Sequence, residues 1–211
     1  MTGHDTGGTS RYHSPLRERQ AAETRRIILD AAFELFAAKG WAATTLTAVA
    51  QSAGVSVDSI YSGFGTKSAL LMEVVEIALV GDDDAAPMAE RPDFVRFGDG
   101  DRDERVRTGV RYTMTTYERA APILATLREA GASDETASER FERFNSDRHE
   151  LMSAGMSLIM GAEAPDEVTD VVWALLSPEV FAHLKDGRGW DEDRIEDLFI
   201  RLTQSAIEQA P

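Results

Sequence analysis

The 211-residue sequence contains no cysteine, which excludes disulfides, thiolate nucleophiles and zinc sites built on cysteine. It has no apolar run close to the roughly 20 residues of a transmembrane helix, and its N-terminus has no apolar signal segment. No alternation of apolar and polar residues indicates β-strands. We therefore expect an all-α, cytoplasmic protein with a core of ordinary size.

Basic residues are scarce: 22 lysines and arginines stand against 37 aspartates and glutamates, for a formal net charge of −15. The imbalance is uneven, because residues 1–67 hold seven basic and six acidic side chains while the rest of the chain carries a net −16. Nucleic acid would repel the acidic part but not the near-neutral N-terminal part. Any non-specific DNA binding should therefore be weak and strongly sensitive to salt.

Catalytic and metal-binding motifs are also missing. His149-Glu150 is followed by Ser153, where a zinc-protease spacing requires a second histidine. The acidic segment 99–103 begins like a calcium loop but lacks the glycine and the bidentate glutamate that such a loop needs. Glycine-rich phosphate-binding patterns do not occur. We expect no enzymatic activity, no cofactor and no metal site.

The sequence does contain two short helical segments around Gly54. Thr45 can cap the first segment, whose apolar residues share one face. Gly54 suits the positive φ at a helix end, and Ser56 can cap the second segment. This pattern is typical of a helix-turn-helix, whose second helix exposes its N-terminal residues to a DNA major groove. The alternative is a helical hairpin without a role in DNA binding.

The flanking segments extend the pattern. Residues 24–40 form a periodic helix that ends at Gly40, and Phe64 precedes a new helix capped by Thr66. In order, the chain has Ile-Leu-x-Ala-Ala-x-x-Leu-Phe, Gly, Thr-Thr, Ala-Gly-Val-Ser, Tyr and Phe-x-x-Lys. Across residues 24–71 the sequence thus resembles the N-terminal domain of the tetracycline-repressor (TetR) family.

The resemblance implies an all-α homodimer in which a long fourth helix joins a three-helix DNA-binding domain to a helical ligand-binding and dimerisation domain. It further implies a transcriptional regulator, most often a repressor that a small ligand releases from a palindromic DNA operator. We accordingly expect a disordered tail at 1–18, a helix-turn-helix domain at 19–67 and the second domain at 68–211. The arginines of the tail either contact DNA or are only solvated. The alternative function is an acidic helical ligand sensor or interaction protein with weak or lost specific DNA binding.

The resemblance also assigns DNA contacts by position. Phosphate contacts, which set the register without reading the sequence, are expected from Thr45, Tyr61 and Lys67. Base contacts are expected from the start of the second helix of the motif, at Ser56, Val57, Asp58 and Ser59. Val57 could contact a thymine methyl group, and Asp58 could accept from cytosine N4 or only favour the helix dipole. Val57, Asp58 and residues 62–63 depart from the family pattern, which leaves the operator sequence open.

Further helices are predicted at 66–79, 103–117, from Pro122 to about 131, 133–160, 165–176, from Pro178 with Ser177 as cap, and 191–208. Residues 81–102 are expected to be irregular, with Phe94, Val95 and Phe97 packing inward. A looser similarity of residues 178–190 to C-terminal domains of the family implies that helices 166–176 and 191–208 pair with their copies as a four-helix bundle. The expected dimer interface comprises Val172, Leu176, Ile195, Phe199 and Leu202, unless these residues complete the monomer's own core.

A ligand site is expected in the same domain, lined by Tyr112, Tyr117, Phe144, Met152, Met156, Trp173 and Phe181. Met152, Met156 and Met160 recur every four residues and share one helical face, which suits an irregular ligand but is also typical of ordinary core. His149 and His183 could bind the ligand, sense pH or be structural. Few charges converge in this region, so we expect a hydrophobic or aromatic effector. The helix at 66–79 is expected to transmit its binding to the DNA-binding domain.

Overall fold

The structure is a computed structural model that describes residues 15–81 and 87–210, with side chains from Arg19 onward. Within these residues all regular structure is helical and no strand occurs, as the sequence predicts. The first four helices are α1 Pro15–Ala43, α2 Leu46–Ala53, α3 Val57–Phe64 and α4 Lys67–Val80. They are followed by α5 Pro92–Val95, α6 Arg102–Gly131, α7 Glu135–Met160, α8 Asp166–Leu175, α9 Pro178–Ala182 and α10 Glu192–Glu208. Short 3₁₀ turns flank α5, and a π-helical turn, His183–Gly187, follows α9.

The N-terminal helix begins earlier than predicted. Residues 15–18 belong to α1, so the expectation of a disordered tail is wrong for them, and residues 1–14 lie outside the described residues. Proline suits the first turn of a helix, where its missing N–H would have no partner. The residues after Pro15 are leucine, arginine, glutamate, glutamine and alanine, all good helix formers.

The central helix α6 runs without a break through Pro122, where the sequence had predicted two helices. A proline inside a helix removes one backbone hydrogen bond and costs about 3 kcal/mol or more. The residues that follow it, Ile123 and Leu124, are buried, and α6 packs on α1, α4, α7, α9 and α10. Because burial on several sides stabilises the whole of α6, tertiary packing outweighs the tendency of Pro122 to end the helix.

Two hydrophobic cores share α6. The first core joins α1 to α4 with the C-terminal half of α6 and the start of α7. The second joins the N-terminal half of α6 with Phe94, Phe97 and helices α7 to α10. Val95, which we expected to pack inward, is 51% exposed, whereas Phe94 and Phe97 are buried; in the short α5 only one side faces the core. The apolar face of α4 belongs to the first core, together with the helix-turn-helix.

No described helix is both long enough and apolar enough to cross a membrane.

Candidate nucleic-acid interface and ligand cavity

The turn between α2 and α3 is built by the caps that the sequence indicates. The side chain of Thr45 accepts the backbone N–H of Ala48 at 3.1 Å, and that of Ser56 accepts the N–H of Ser59 at 3.1 Å. Gly54 has φ of 66° and donates to carbonyls in the last turn of α2. A residue with a side chain is strained at that angle, so this glycine sets the direction in which α3 leaves the turn.

Helix α3 has one anchored face and one free face. Ile60 and Phe64 are buried in the first core, which fixes the rotation of the helix. Asp58 and Tyr61 lie on the opposite side, and Tyr61 is 55% exposed. The free face is therefore polar and exposed, as is required of a helix that enters the major groove of DNA.

Three of the four residues expected to read bases are less free than the sequence indicates. Val57 is half-buried and packs against the first core. The hydroxyl of Ser59 lies 2.7 Å from that of Ser56, so both belong to the cap that begins α3. Asp58 is exposed in the first turn, where a negative charge favours the helix dipole.

Lys67, expected on a phosphate, is held within the chain. Its ammonium donates to the carbonyl of Trp41 and lies 3.9 Å from the centre of the Trp41 ring. Burial lowers the pKa of Lys67, and the nearby carboxylate of Glu129 opposes that shift. In this arrangement Lys67 ties the start of α4 to the end of α1.

A polar junction connects the helix-turn-helix to the C-terminal part of α6. Helix α1 breaks at Gly40, where φ is 72° and ψ is −172°. Just after the break, the carboxylate of Glu129 accepts hydrogen bonds from the backbone N–H groups of Trp41 at 2.8 Å and Ala42 at 3.1 Å. The buried hydroxyl of Thr126 donates to the carbonyl of Phe36 at 2.9 Å. The end of α1, which leads into the helix-turn-helix, is thus bonded directly to α6.

Helix α4 is linked to α7 at two points. Ser68 donates to the carboxylate of Asp134, which also caps the first turn of α7, and Glu76 pairs with Arg140. The hydrogen bond from Ser68 and that from the N–H of Ala137 lower the pKa of Asp134. These two contacts join α7 to the helix that follows the helix-turn-helix.

A cavity of about 210 Å³ lies between α4, α6 and α7, with the α5 region, α8 and α10 closing its sides. Five of the residues predicted to contact a ligand line it: Tyr112, Tyr117, Phe144, Met152 and Met156. The cavity is smaller than the roughly 300–1,000 Å³ of most sites for drug-sized ligands. It would hold a compact molecule with an apolar body.

Trp173 and Phe181, which we also expected in the lining, lie outside it. Phe181 is buried beside Tyr117, with ring centres 6.0 Å apart, because α9 packs against the outer side of α6. Trp173 packs against Arg148 instead: the guanidinium carbon of Arg148 lies 4.4 Å from the centre of the Trp173 ring. His149 contacts Asp170 at 2.7 Å and His183 contacts the carbonyl of Glu179 at 2.7 Å, so both have structural partners outside the cavity.

Sequence reasoning missed the charged residues of the cavity, which are Glu76, Arg140, Asp147 and Arg148. On α7, the residues at 140, 144, 148, 152 and 156 recur every four positions and all line the cavity. This stripe continues the methionine stripe toward the N-terminus, and the spacing was visible in the sequence. Charged residues on a helix usually face solvent, so the sequence alone does not assign the two arginines to a cavity.

Arg148 is bonded on one side only. Its Nη1 donates to the carbonyl of Trp173 at 2.8 Å and to the phenol oxygen of Tyr117 at 3.4 Å. Tyr117 in turn donates to the carbonyl of Leu176 at 2.7 Å, and burial raises the pKa of its phenol despite the opposing effect of Arg148. The Nε atom is buried without a partner. Among the described residues no carboxylate lies within ion-pair distance of Arg148.

Four of the five residues predicted for the dimer interface lie in the monomer's own core. Val172, Leu176, Ile195 and Phe199 are at most 2% exposed, because they close the second core of the monomer, and Leu202 is half-buried. The neighbouring face of α8 carries exposed apolar side chains instead: Val171 is 40% and Leu175 is 38% exposed. In the described part of the chain, no cluster of histidine and carboxylate side chains could hold a metal ion.

Comparisons with known proteins agree with this geometry. Residues 28–74 match the profile of the family described as bacterial regulatory proteins, tetR family. The chain is 41% identical over 61 residues to the HTH-type transcriptional regulator AcrR of Shigella flexneri, a match that spans 29% of this chain and 28% of that relative.

The fold as a whole has solved counterparts. NalD, the secondary repressor of the MexAB-OprM multidrug efflux pump in Pseudomonas aeruginosa, superposes with a TM-score of 0.63 at 22% identity, over 88% of this chain and 97% of NalD. A transcriptional regulator from Rhodococcus sp. RHA1 superposes with a TM-score of 0.65 at 14% identity, over 87% of this chain and 96% of the regulator. At these identities the likeness concerns the fold alone.

Proposed function

This chain belongs to the TetR family of bacterial regulatory proteins, and we propose that it binds a specific DNA operator as a homodimer and represses transcription until a small ligand releases it. The observation that carries this proposal is the coexistence of two features in one fold. Helix α3 presents a free polar face beside a capped glycine turn, and an apolar cavity adjoins α4 and α6, which both pack on α1, the helix that supports the helix-turn-helix.

DNA contact would begin at the N-terminus of α3. The side chains available there are Ser56, Asp58 and Tyr61, and Thr45 is exposed at the start of α2. Hydroxyl groups of this kind bind phosphates and fix the register of a helix in the groove. Lys67 would join them by leaving the Trp41 carbonyl, since its flexible stem allows the ammonium to turn outward.

The C-terminal helices supply the dimer contact. Val171 and Leu175 are four residues apart on α8 and share one exposed face, which a lone monomer would leave in water. Leu198 and Leu202 on α10 are half-buried at the edge of the second core. Two copies that join these faces about a two-fold axis would form a four-helix bundle and place two α3 helices on one palindromic operator.

Ligand release would follow from the position of the cavity. Glu76, Leu79 and Val80 place the last turns of α4 in its wall, and Ser68 and Glu76 connect α4 to α7. A ligand that moves α7 relative to α4 would change the distance between the two α3 helices of the dimer. An allosteric coupling of about 1–3 kcal/mol corresponds to roughly 5- to 150-fold weaker DNA binding.

Selection of binding sites from random DNA by the purified protein tests the proposal, at low and at near-physiological salt. We expect enrichment of a palindromic site, a 2:1 complex of protein with DNA, and a steep loss of affinity as salt rises. A Tyr61→Phe, Thr45→Ala double variant should bind the selected site more weakly. No enrichment at low salt would contradict the proposal and favour the alternative, an acidic ligand sensor without specific DNA binding.

A further inference from the structure

The cavity contains a cation, Arg148, whose charge no carboxylate of the described residues balances. Arginine stays protonated in proteins, and Arg148 is half-buried, so its charge is partly removed from water, which is costly unless the charge is paired. Arg140, eight residues earlier on the same face of α7, has Glu76 as its ion partner. For Arg148 the described residues provide only a backbone carbonyl, the Tyr117 phenol and the Trp173 ring. The difference between the two arginines marks Arg148 as incomplete without a ligand.

The free side of Arg148 has a defined shape. Its two hydrogen bonds both use Nη1, which leaves Nε and Nη2, the two donors on one edge of the guanidinium plane. Nε is buried without an acceptor. Two parallel N–H groups on such an edge match the two oxygens of a carboxylate. The Trp173 ring and the Tyr117 hydroxyl hold the guanidinium in its plane, so this edge is positioned before a ligand arrives.

A second orphaned donor belongs to a residue of the cavity lining. Besides Nε of Arg148, Nη1 of Arg140 is buried without an acceptor in the part of the chain that the structure describes. Buried polar groups in native proteins normally have partners, and here the missing partners are acceptors. The other charged residue at the cavity, Asp147, is exposed and keeps its hydration, so it does not supply them.

We propose that the effector is a compact aromatic or aliphatic acid whose carboxylate pairs with the Nε–Nη2 edge of Arg148, with its apolar body against the α7 stripe. This inference rests on the proposed function of the cavity as the ligand site. Met152 and Met156 follow Arg148 at four-residue steps on the same face of α7. The acid would therefore lie along α7, with its head at Arg148 and its body over the two methionines.

The test uses matched probes on the full-length protein without DNA. Benzoate, 2-naphthoate and decanoate are each compared with the alcohol and the primary amine on the same carbon skeleton, by calorimetry and by thermal denaturation. Charge-assisted hydrogen bonds predict that at least one acid binds roughly 10- to 100-fold more tightly than its alcohol, and more tightly than its amine. Equal binding within every matched set, a preference for an amine, or no binding of any acid would overturn the proposal.

Three variants locate the carboxylate. Arg148→Gln should abolish the preference for acid over alcohol, and Arg148→Lys should retain part of it, because lysine keeps the charge but not the two-donor edge. Arg143→Gln makes the same change of charge on the exposed side of α7 and should bind as the parent does. An unchanged acid preference in Arg148→Gln would overturn the assignment. If Arg148→Gln unfolds, Arg148→Lys provides the test. A preference for acid over alcohol as large in Arg148→Lys as in the parent protein would overturn the proposal that the carboxylate pairs with the two-donor edge.

The test of acid binding and the test of DNA binding can fail independently of each other. Acid binding that leaves operator affinity unchanged would support the head-group assignment and contradict ligand release. Release of DNA by a neutral or cationic compound, with no acid bound, would contradict the head-group assignment and leave the regulatory proposal standing.

Discussion

The glycine at the break of α1 offers a quantitative test of the junction between the helix-turn-helix and α6. At Gly40 φ is 72° and ψ is −172°, a region that residues with a side chain enter at a cost of about 1–3 kcal/mol. A β-carbon there would also lie 2.5 Å from Oε2 of Glu129, so the carboxylate would have to leave the N–H groups of Trp41 and Ala42. Those two bonds are exposed, and their loss adds about 1 kcal/mol. Gly40→Ala should therefore destabilise the protein by about 2–4 kcal/mol.

A double-mutant cycle separates the two contributions. Glu129→Ala alone should cost about 1 kcal/mol, and in that background Gly40→Ala should cost only its backbone strain. The double variant should then be about 1 kcal/mol more stable than the sum of the single effects predicts. Urea denaturation followed by tryptophan fluorescence measures all four proteins, and Trp41 lies at the junction itself.

The matched control is Gly63→Ala. Gly63 is helical, and a β-carbon at this position would meet no atom within 4 Å outside its own helical turn and chain neighbours, so alanine there should be neutral or slightly stabilising. If the effects of Gly40→Ala and Glu129→Ala add to within about 0.3–0.5 kcal/mol, the carboxylate keeps its bonds in the alanine variant and the steric argument is refuted. If Gly40→Ala is as mild as Gly63→Ala, the backbone at residue 40 is not held as described.

Three further predictions concern the surface and the helix contacts. Tyr61→Phe should weaken operator binding roughly 2- to 12-fold by loss of one hydrogen bond to phosphate, with an unchanged sequence preference in the selection assay; a changed preference would mean that Tyr61 reads a base. Leu175→Glu should shift the protein toward monomer in sedimentation velocity at constant secondary structure, and an unchanged dimer would place the interface elsewhere. The lowered pKa of Asp134 contributes stability that is present above its unfolded value near 3.8 and is lost as pH falls through the folded value. Ser68→Ala should raise the pKa of Asp134 and so reduce this acid-dependent loss, which denaturation at a series of pH values measures; an identical pH dependence would contradict the role of the Ser68 hydrogen bond.

Local signals explain what the sequence predicted well. The caps at Thr45 and Ser56 and the turn at Gly54 depend on bonds that span three or four residues, and such bonds are encoded by the residues themselves. The bounds of α4 and α7 were likewise predicted to within one or two residues. The family resemblance across residues 24–71 rests on the same short segment, and beyond the first core only the looser similarity of residues 178–190 supports it.

Features that depend on distant partners were predicted less well. Pro122 suggested a break that packing from several helices overrides. Val172 and Phe199 suggested a dimer face, yet they are buried in the monomer, since an apolar residue on an amphipathic helix does not show which neighbour will cover it. The sequence does not single out Arg148, because its position beside the cavity depends on Tyr117 and Trp173, which belong to other helices.

The continuity of α6 constrains how this protein can change during evolution. One half of this 30-residue helix lies in the second core and at the cavity, and the other half holds the helix-turn-helix through Thr126 and Glu129. An inserted or deleted residue between Tyr117 and Thr126 would rotate one half of α6 against the other by about 100°. The apolar side chains of the two halves could then not face their two cores at the same time. We therefore expect natural relatives to conserve the length of this stretch even where its exposed side chains vary.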